Sequence, residues 1–382
     1  MSGTARIVLE GVGVVGGFGC GIADLSRALA EGNGRPGSLA LSPGSGPIAF
    51  PAFRADTSRL KEFVPARTLR RIDPFSRLAL LGSYLALADA GLAETEHHRL
   101  GVIIASGYGA TGATYAFLKS FINDGDICAS PTCFASSVHN SAAAHISILL
   151  GATGPSLTVS QFDLSVPSAL ISVRQWLLEG RVDRVLFGAV EELSELIGYA
   201  WYRQRGAPRT PMTPLWTEKE TAIPAEGAAF LLFSRTEEAR AGYCTLETAI
   251  TGSHANAGFP LPGAGLLLLG ADGRRETGRR YAVLAENARI ACYSPLYGSM
   301  AAGPAFDLAA AALILNEGRI FPSPGDASLD FPATIPAGGE PFAGEQVYCL
   351  TLACNDDSYG LTTLGKLSGT AREPLRIERS SP

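Results

Sequence analysis

Charge is scarce in this chain. Of its 382 residues only 18% are Asp, Glu, Lys or Arg, and the 31 basic side chains are outnumbered by 36 acidic ones. A net charge of −5 leaves no basic field to hold nucleic acid or an anionic lipid surface, so neither partner is expected. Long apolar runs are missing too. Hydrophobic residues make up 46% of the chain, yet no stretch approaches the ~20 consecutive apolar residues of a membrane span. The opening MSGTARIVLEGVGVVGGFG has no basic segment followed by a long apolar run. Membrane insertion is not expected, and the reading is a cytoplasmic protein. The seven cysteines, Cys20, Cys128, Cys133, Cys244, Cys292, Cys349 and Cys354, are scattered and contain no C-x-x-C pair. That excludes a zinc knuckle or a dithiol redox motif and leaves small buried hydrophobes. No G-x-S-x-G marks a hydrolase elbow. Among the five histidines, His97 and His98 share a polar turn, while His139, His145 and His254 stand apart; no pair has metal-ligand spacing in acidic or cysteine company. No metal and no cofactor is expected.

What is present is a chain long enough for one large domain or two fused halves. With so little charge, much of its surface must be small, apolar or shared with another protein, which favours a permanent partner. ARIVLEGVGVVGGFG reads as a buried strand ending in a glycine-rich turn, followed by the helix GIADLSRALAEG. Gly11, Gly13, Gly16 and Gly17 look superficially like a dinucleotide fingerprint. The acidic residue that such a site needs ~20 residues further on has no counterpart, so close strand-to-helix packing is the better reading. Residues 33–65 are rich in Pro, Gly and Ser and read as loop. DPFSRLALLGSYLALADAGL then predicts an amphipathic helix with Asp73 as N-cap, Pro74 in the first turn and Gly91 as the stop. Strands RLGVIIASG, SLTVSQ and DRVLFGAVEE alternate with helices NSAAAHISILLGA and VPSALISVRQWLLEGR, as in a parallel sheet covered on both faces. A second, shorter alternating unit follows: EGAAFLLFSR, CTLETAITGSH, AGLLLLGAD, the Ala-rich helix AGPAFDLAAAALILNEG, and QVYCLTLACND. The expected division is 1–225 and 226–382, with a linker around 206–225.

RRIDPFSRLALLGSYLALADAGL, SPTCFASSVHNSAAAHISILLGATGPSLTV, LLEGRVDRVLFGAVEE and AEGAAFLLF resemble, in this order, the β-ketoacyl synthases of thiolase fold, which condense malonyl units in fatty-acid and polyketide assembly. The resemblance is good over residues ~5–235 and extends beyond only in the order of elements. It implies an α/β thiolase-like fold, two βαβαβ-type halves in a five-layer α/β/α/β/α sandwich, and a dimer joining two sheets.

In that family a cysteine at a strand-to-helix elbow forms an acyl thioester, and two histidines support decarboxylation and the oxyanion. Counting back without gaps from LLEGRVDRV puts Asp163 at the nucleophile's place. The first histidine's place falls on Asp272 in LLLLGADGRRET and the second's on Ser299 in YSPLYGSMAAG. The glycine-rich gate of active relatives is NDDSYG here, residues 355–360. A carboxylate cannot form the thioester, though it is comfortable at a helix N-terminus. The resemblance therefore implies a subunit without ketosynthase chemistry: a chain-length factor pairing with an active ketosynthase and served by an acyl carrier protein, in a type II polyketide or aryl-polyene system. Two alternatives stay open. One is an acyltransferase or malonyl decarboxylase using Asp163 or Ser165; the other is a non-enzymatic acyl-binding homodimer. A register error of two would bring Gln161 to the elbow, where local hydrogen bonding at a strand end is the plainer role. The tunnel or interface positions implied are Tyr108, Thr111, Tyr115, Cys133 and Phe134, and the carrier-docking positions Arg67, Arg70 and Arg71.

Overall fold

The computed structural model describes residues 5–367 apart from 43–45, 94, 96, 209–210, 216–219, 238–239, 255–264, 325–332 and 337. The first half runs β1 (Arg6–Gly16), β2 (Gly19–Cys20), α1 (Ile22–Glu31), the hairpin β3 (Gly37–Leu41) and β4 (Ile48–Ala52), α2 (Ala66–Leu69), α3 (Pro74–Asp89), β5 (Leu100–Ala105), α4 (Thr111–Asp124), α5 (Pro131–Ser137), α6 (Ser141–Leu150), β6 (Ser156–Val159), α7 (Ser165–Leu178), β7 (Arg184–Glu191), α8 (Glu195–Arg205) and β8 (Gly227–Thr236). The second runs β9 (Cys244–Ser253), β10 (Leu266–Leu269), α9 (Arg275–Leu284), β11 (Arg289–Ala291), α10 (Gly303–Glu317), β12 (Gln346–Leu352) and β13 (Ser358–Gly365).

The strands lie side by side in the order β11-β10-β12-β13-β9-β1-β8-β7-β5-β6. Numbered within its own half, each set of five has the same order, 3-2-4-5-1, so the repeat inferred from alternating segments is an architectural one. β5, β6 and β7 are mutually parallel, as are β10, β11 and β12, while β8 and β13 run antiparallel to both their neighbours. The sheet is therefore mixed, not wholly parallel as the alternation suggested. The halves meet at Val8↔Thr245 and Leu9↔Cys244, where β1 pairs with β9. β8 hydrogen-bonds along β1 and β7, so it belongs with the first set of five strands. Met212 and Ile223 are buried, and Thr221 and Ala222 donate backbone N–H to the Gly273 carbonyl at 3.0 and 3.1 Å.

Three apolar cores stack through the layers. Helices α3 and α6 cover one face of the first half's strands, α9 covers the far face of the second half's strands, and α7 and α10 lie between them in a shared core. α10 is buried on nearly all sides and, up to Leu315, apolar but for Asp307, whose carboxylate accepts the Tyr297 hydroxyl. α3 is likewise buried nearly all round between the sheet and α6, which corrects its reading as amphipathic. Its start is as expected: Asp73 accepts the Ser76 N–H at 2.9 Å, with Pro74 in the first turn. Gly11 and Gly13 let this helix sit directly on β1. A Cβ at Gly13 would overlap the Gly82 carbonyl, and one at Gly11 the Ala86 carbonyl, so these glycines serve packing. The segment 33–65, read as loop, contains the β3–β4 hairpin, whose Leu39, Leu41 and Phe50 pack against α8. No described helix is long and apolar enough to cross a membrane.

Candidate functional site

The strand ends of both halves converge on one niche. β6 is the third strand of the first half and leads through an elbow into α7; β11, the third of the second half, leads towards α10. Asp163 precedes α7 and Ser299 precedes α10, so they occupy related places in the repeat. Asp272 follows β10 and Cys354 follows β12.

The elbow is fixed by Ser165. Its hydroxyl accepts the Gln161 N–H at 2.8 Å and lies 2.7 and 3.2 Å from the Phe162 and Ser106 carbonyl oxygens. Buried and committed to the backbone, it is a structural pin with no general base beside it. Gln161 accepts from the Ser168 hydroxyl at 2.6 Å, a local bond at a strand end. Between them Phe162 takes a left-handed backbone, with φ 46°.

Asp163 points into the niche and is met by Arg274, a residue that sequence reasoning passed over. Arg274 Nη2 lies 3.0 Å from Asp163, and its Nε lies 2.8 Å from Asp272. Nη1 contacts the Cys354 thiol, the Cys354 backbone N–H donates to Asp163 at 3.0 Å, and the Ser299 hydroxyl donates to Asp272. Asp163, Asp272 and Ser299 are thus brought together, and one guanidinium ties the first two. Two carboxylates at the same buried place require a cation, and Arg274 two residues past Asp272 supplies it. That requirement was the available signal, but it became visible only once the fold joined residues 111 positions apart.

The electrostatics follow. Burial alone would raise the Asp163 carboxyl, but the Arg274 charge and hydrogen bonds from Arg274 and Cys354 outweigh it and hold it below the usual carboxylate range. Burial, only partly offset by Arg274, pushes the Cys354 thiol up to about 12, so it stays a neutral thiol and a poor nucleophile. Burial also raises Glu191 to about 8 and Glu192 to about 7, against the lowering effect of their backbone hydrogen bonds. Glu191 accepts from Ser106 and from the Gly107 and Tyr108 N–H groups; Glu192 accepts from Thr111 and the Gly112 N–H.

A cavity of about 160 Å³ lies over the niche, walled by Tyr108, Asp163, Glu191, Trp201, Arg274 and Met300 among others. A second, of about 450 Å³, is lined by Arg205, Glu220, Arg275 and Arg279 and lies on the far side of Arg274. Gln204, Arg205 and Arg274 line both. No histidine lines either cavity.

The remaining sequence-derived positions divide. Tyr108 walls the smaller cavity, and Thr111 bonds Glu192 at 3.1 Å and Ser194 at 2.8 Å just behind it. Tyr115, Cys133 and Phe134 lie instead on α4 and α5, and Phe134 packs on Phe117 with ring centroids 5.3 Å apart. Around them is an exposed apolar face containing Phe121, Ile127, Ile148 and Phe162, and β6 is the outermost strand of the sheet on this side. Arg67, Arg70 and Arg71 are exposed at and just after α2.

Similarity to known proteins agrees with this architecture. Nodulation protein E of a Rhizobium species is 25% identical over 251 residues, covering 65% of this chain. The chain spans 62% of that relative's length. A beta-ketoacyl synthase from Burkholderia phymatum has the same fold, with a TM-score of 0.79, 16% identity and coverage of 95% of this chain and 100% of its own. A ketosynthase in complex with its chain length factor from Xenorhabdus doucetiae superposes with a TM-score of 0.74 and 17% identity, covering 94% and 98%. Residues 49–239, half of the chain, match the family described as beta-ketoacyl synthase, N-terminal domain. With its repeated five-stranded halves and its niche at their meeting point, the chain belongs to the beta-ketoacyl synthase family.

Proposed function

We propose that this chain is a chain-length-factor-like subunit: it carries out no condensation itself, pairs with an active ketosynthase, and shapes the space into which the acyl chain grows in a type II polyketide or aryl-polyene system. The observation that carries this reading is the Asp163–Arg274–Asp272 bridge. Where a ketosynthase needs a thiolate, a free oxyanion site and a proton donor, this chain has a carboxylate whose oxygens are engaged by a guanidinium and a backbone N–H. Such a closed network has no leaving group to accept and no base to activate water. Asp163 or Ser165 as the nucleophile of an acyltransferase or decarboxylase is disfavoured on the same ground.

Pairing is supported by the apolar face. Ile127, in the turn between α4 and α5, is 95% exposed, Phe134 on α5 57% and Ile148 on α6 75%, on the side of the sheet where β6 is the edge strand. An apolar surface next to an open sheet edge favours a second chain that covers both. The fold's occurrence in a ketosynthase complexed with a chain length factor makes a ketosynthase the natural occupant. Tyr108, Thr111, Tyr115, Cys133 and Phe134 would then face the joint, and Arg67, Arg70 and Arg71 would receive the acidic carrier protein.

Co-expression with a ketosynthase that retains its Cys and two His tests this reading. The expected result is a stable heteromeric complex in which, after incubation with malonyl-carrier, mass spectrometry finds the acyl group on the partner alone. A stable adduct on this chain, or a chain that elutes only with itself, would overturn it.

A further inference from the structure

A third cavity, of about 20 Å³, lies between α9, α10 and the ends of β10 and β12, where Asp272, Arg274, Tyr281, Asp307 and Thr351 are among its walls. Its polar groups are buried, and only half of their bonding capacity is used. Asp307, set in the apolar helix α10, accepts the Tyr297 hydroxyl on Oδ1, while its Oδ2 has no partner among the described residues. Tyr281 accepts the Leu352 N–H at 2.8 Å, while its own O–H has no acceptor among them. Gly270, another wall residue, shows that these groups surround one point. A Cβ there would stand 3.0 Å from the Tyr281 oxygen, 3.2 Å from the Leu350 carbonyl oxygen and 3.8 Å from Asp307 Oδ2. One donor and two acceptors therefore converge on the space in front of Gly270. A buried hydroxyl or carboxyl oxygen left without a partner is costly, and such groups are almost always bonded.

We infer that this cavity is the site of one internal water, which accepts the Tyr281 hydroxyl proton, bonds Asp307 Oδ2 and donates to the Leu350 carbonyl, so tying α9, α10 and β12 together beside Asp272. The inference stands apart from the pairing proposed above. Size admits a single water, which needs about 10–15 Å³ of such space and two to four polar partners. Charge selects it over other small occupants. The Arg274 guanidinium in the wall opposes a cation, and among the described residues no three acidic, His or Cys side chains stand close enough to hold a metal ion. An apolar occupant would leave all three polar groups unbonded. Burial raises the Asp307 carboxyl to about 7, so near neutral pH its Oδ2 is both a carboxylate acceptor and an acid donor. Water serves both forms, because it can turn from donor to acceptor in place.

High-resolution crystals of the unmodified chain, with and without a rubidium soak, test the site directly. The expected result is a fully occupied peak at about 2.6–3.2 Å from the Tyr281 hydroxyl, Asp307 Oδ2 and the Leu350 carbonyl oxygen, with no anomalous signal from rubidium. Featureless density there overturns the inference. A rubidium peak overturns it too, since the site would then take a monovalent cation. Gly270→Ala, at a glycine whose backbone is not left-handed, puts a methyl group where the water is placed. Oxygen-17 magnetic relaxation dispersion counts long-lived waters in solution, and the variant should show one fewer than the unmodified chain. An unchanged count in a folded Gly270→Ala chain would overturn the assignment. Should that variant not fold, Tyr281→Phe takes its place: it deletes the donor alone, and its crystals should show the peak weakened or gone. A peak of undiminished occupancy in Tyr281→Phe would likewise overturn the inference.

Discussion

Arg274 and Asp163 lie 3.0 Å apart although 111 positions separate them in the chain, and both side chains are largely withdrawn from solvent, at 16% and 14% exposure. The same guanidinium serves Asp272. Removing it leaves two buried carboxylates unpaired, and breaking a buried pair on one side costs about 3–5 kcal/mol. Arg274→Met should therefore lower the unfolding free energy by about that amount, while Arg274→Met combined with Asp163→Asn and Asp272→Asn should recover most of it. Urea unfolding of the variants measures this. A loss under about 0.5 kcal/mol for Arg274→Met would show that the bridge is incidental.

Stability should depend on pH through Glu191. Its folded pKa, about 8, lies above the usual carboxylate value, so its contribution is fully present below about pH 4.5 and declines as pH rises to about 8. Glu192, at about 7, adds in the same direction. Asp163 acts oppositely: its depressed pKa favours the fold above about pH 4, and this is lost only as pH falls through the folded value. Denaturation midpoints should consequently fall between pH 5 and pH 8. Glu191→Gln should flatten the slope; a variant that keeps it would assign the pH dependence elsewhere.

The exposed apolar face should matter to pairing and not to folding. Ile127 and Ile148 are 95% and 75% exposed, so replacing either by Glu should shift the thermal midpoint little. In the heteromeric complex a charge without a partner would be desolvated, and pairing should weaken at least about 30-fold, equivalent to about 2 kcal/mol. Titration of the tagged variants against ketosynthase decides the matter, since undiminished pairing by both would move the joint to another face.

Charge reversal at Arg67, Arg70 and Arg71 should slow carrier-protein association at low salt by about tenfold or more, and the difference should shrink as salt rises. The three are exposed and close together at and after a short helix, the arrangement that steers an acidic partner. Stopped-flow association at two ionic strengths measures it. An association rate and salt dependence unchanged by the triple reversal would leave these arginines as solvated surface.

How much of this was legible beforehand depended on range. Local signals worked where the chemistry was local: Asp73 caps α3, β5 is apolar throughout because both its faces are covered, and Gly13 marks a strand on which a helix lies. They failed at α4, where GATGATYAFL lacks an apolar 3.6 period because one side of the helix is open and apolar. They gave no sign that Thr221 and Ala222 bond the Gly273 carbonyl. At the niche, motif comparison had singled out Asp163, Asp272 and Ser299, which lie together in the structure. Arg274 escaped it because its meaning comes from two carboxylates that are distant in sequence, and the strained Phe162 because a backbone angle has no letter in the sequence.

The matching strand order of the two halves has one more consequence. All the niche residues stand at strand ends or on the connections after them, outside the three apolar cores, while α7 and α10 weld the two halves together beneath. Reactivity and foldedness are written in separate parts of the chain. Side chains at the niche can therefore change together without loosening the frame. The ion-paired niche is then held as a fixed wall by a frame whose apolar cores do not include it.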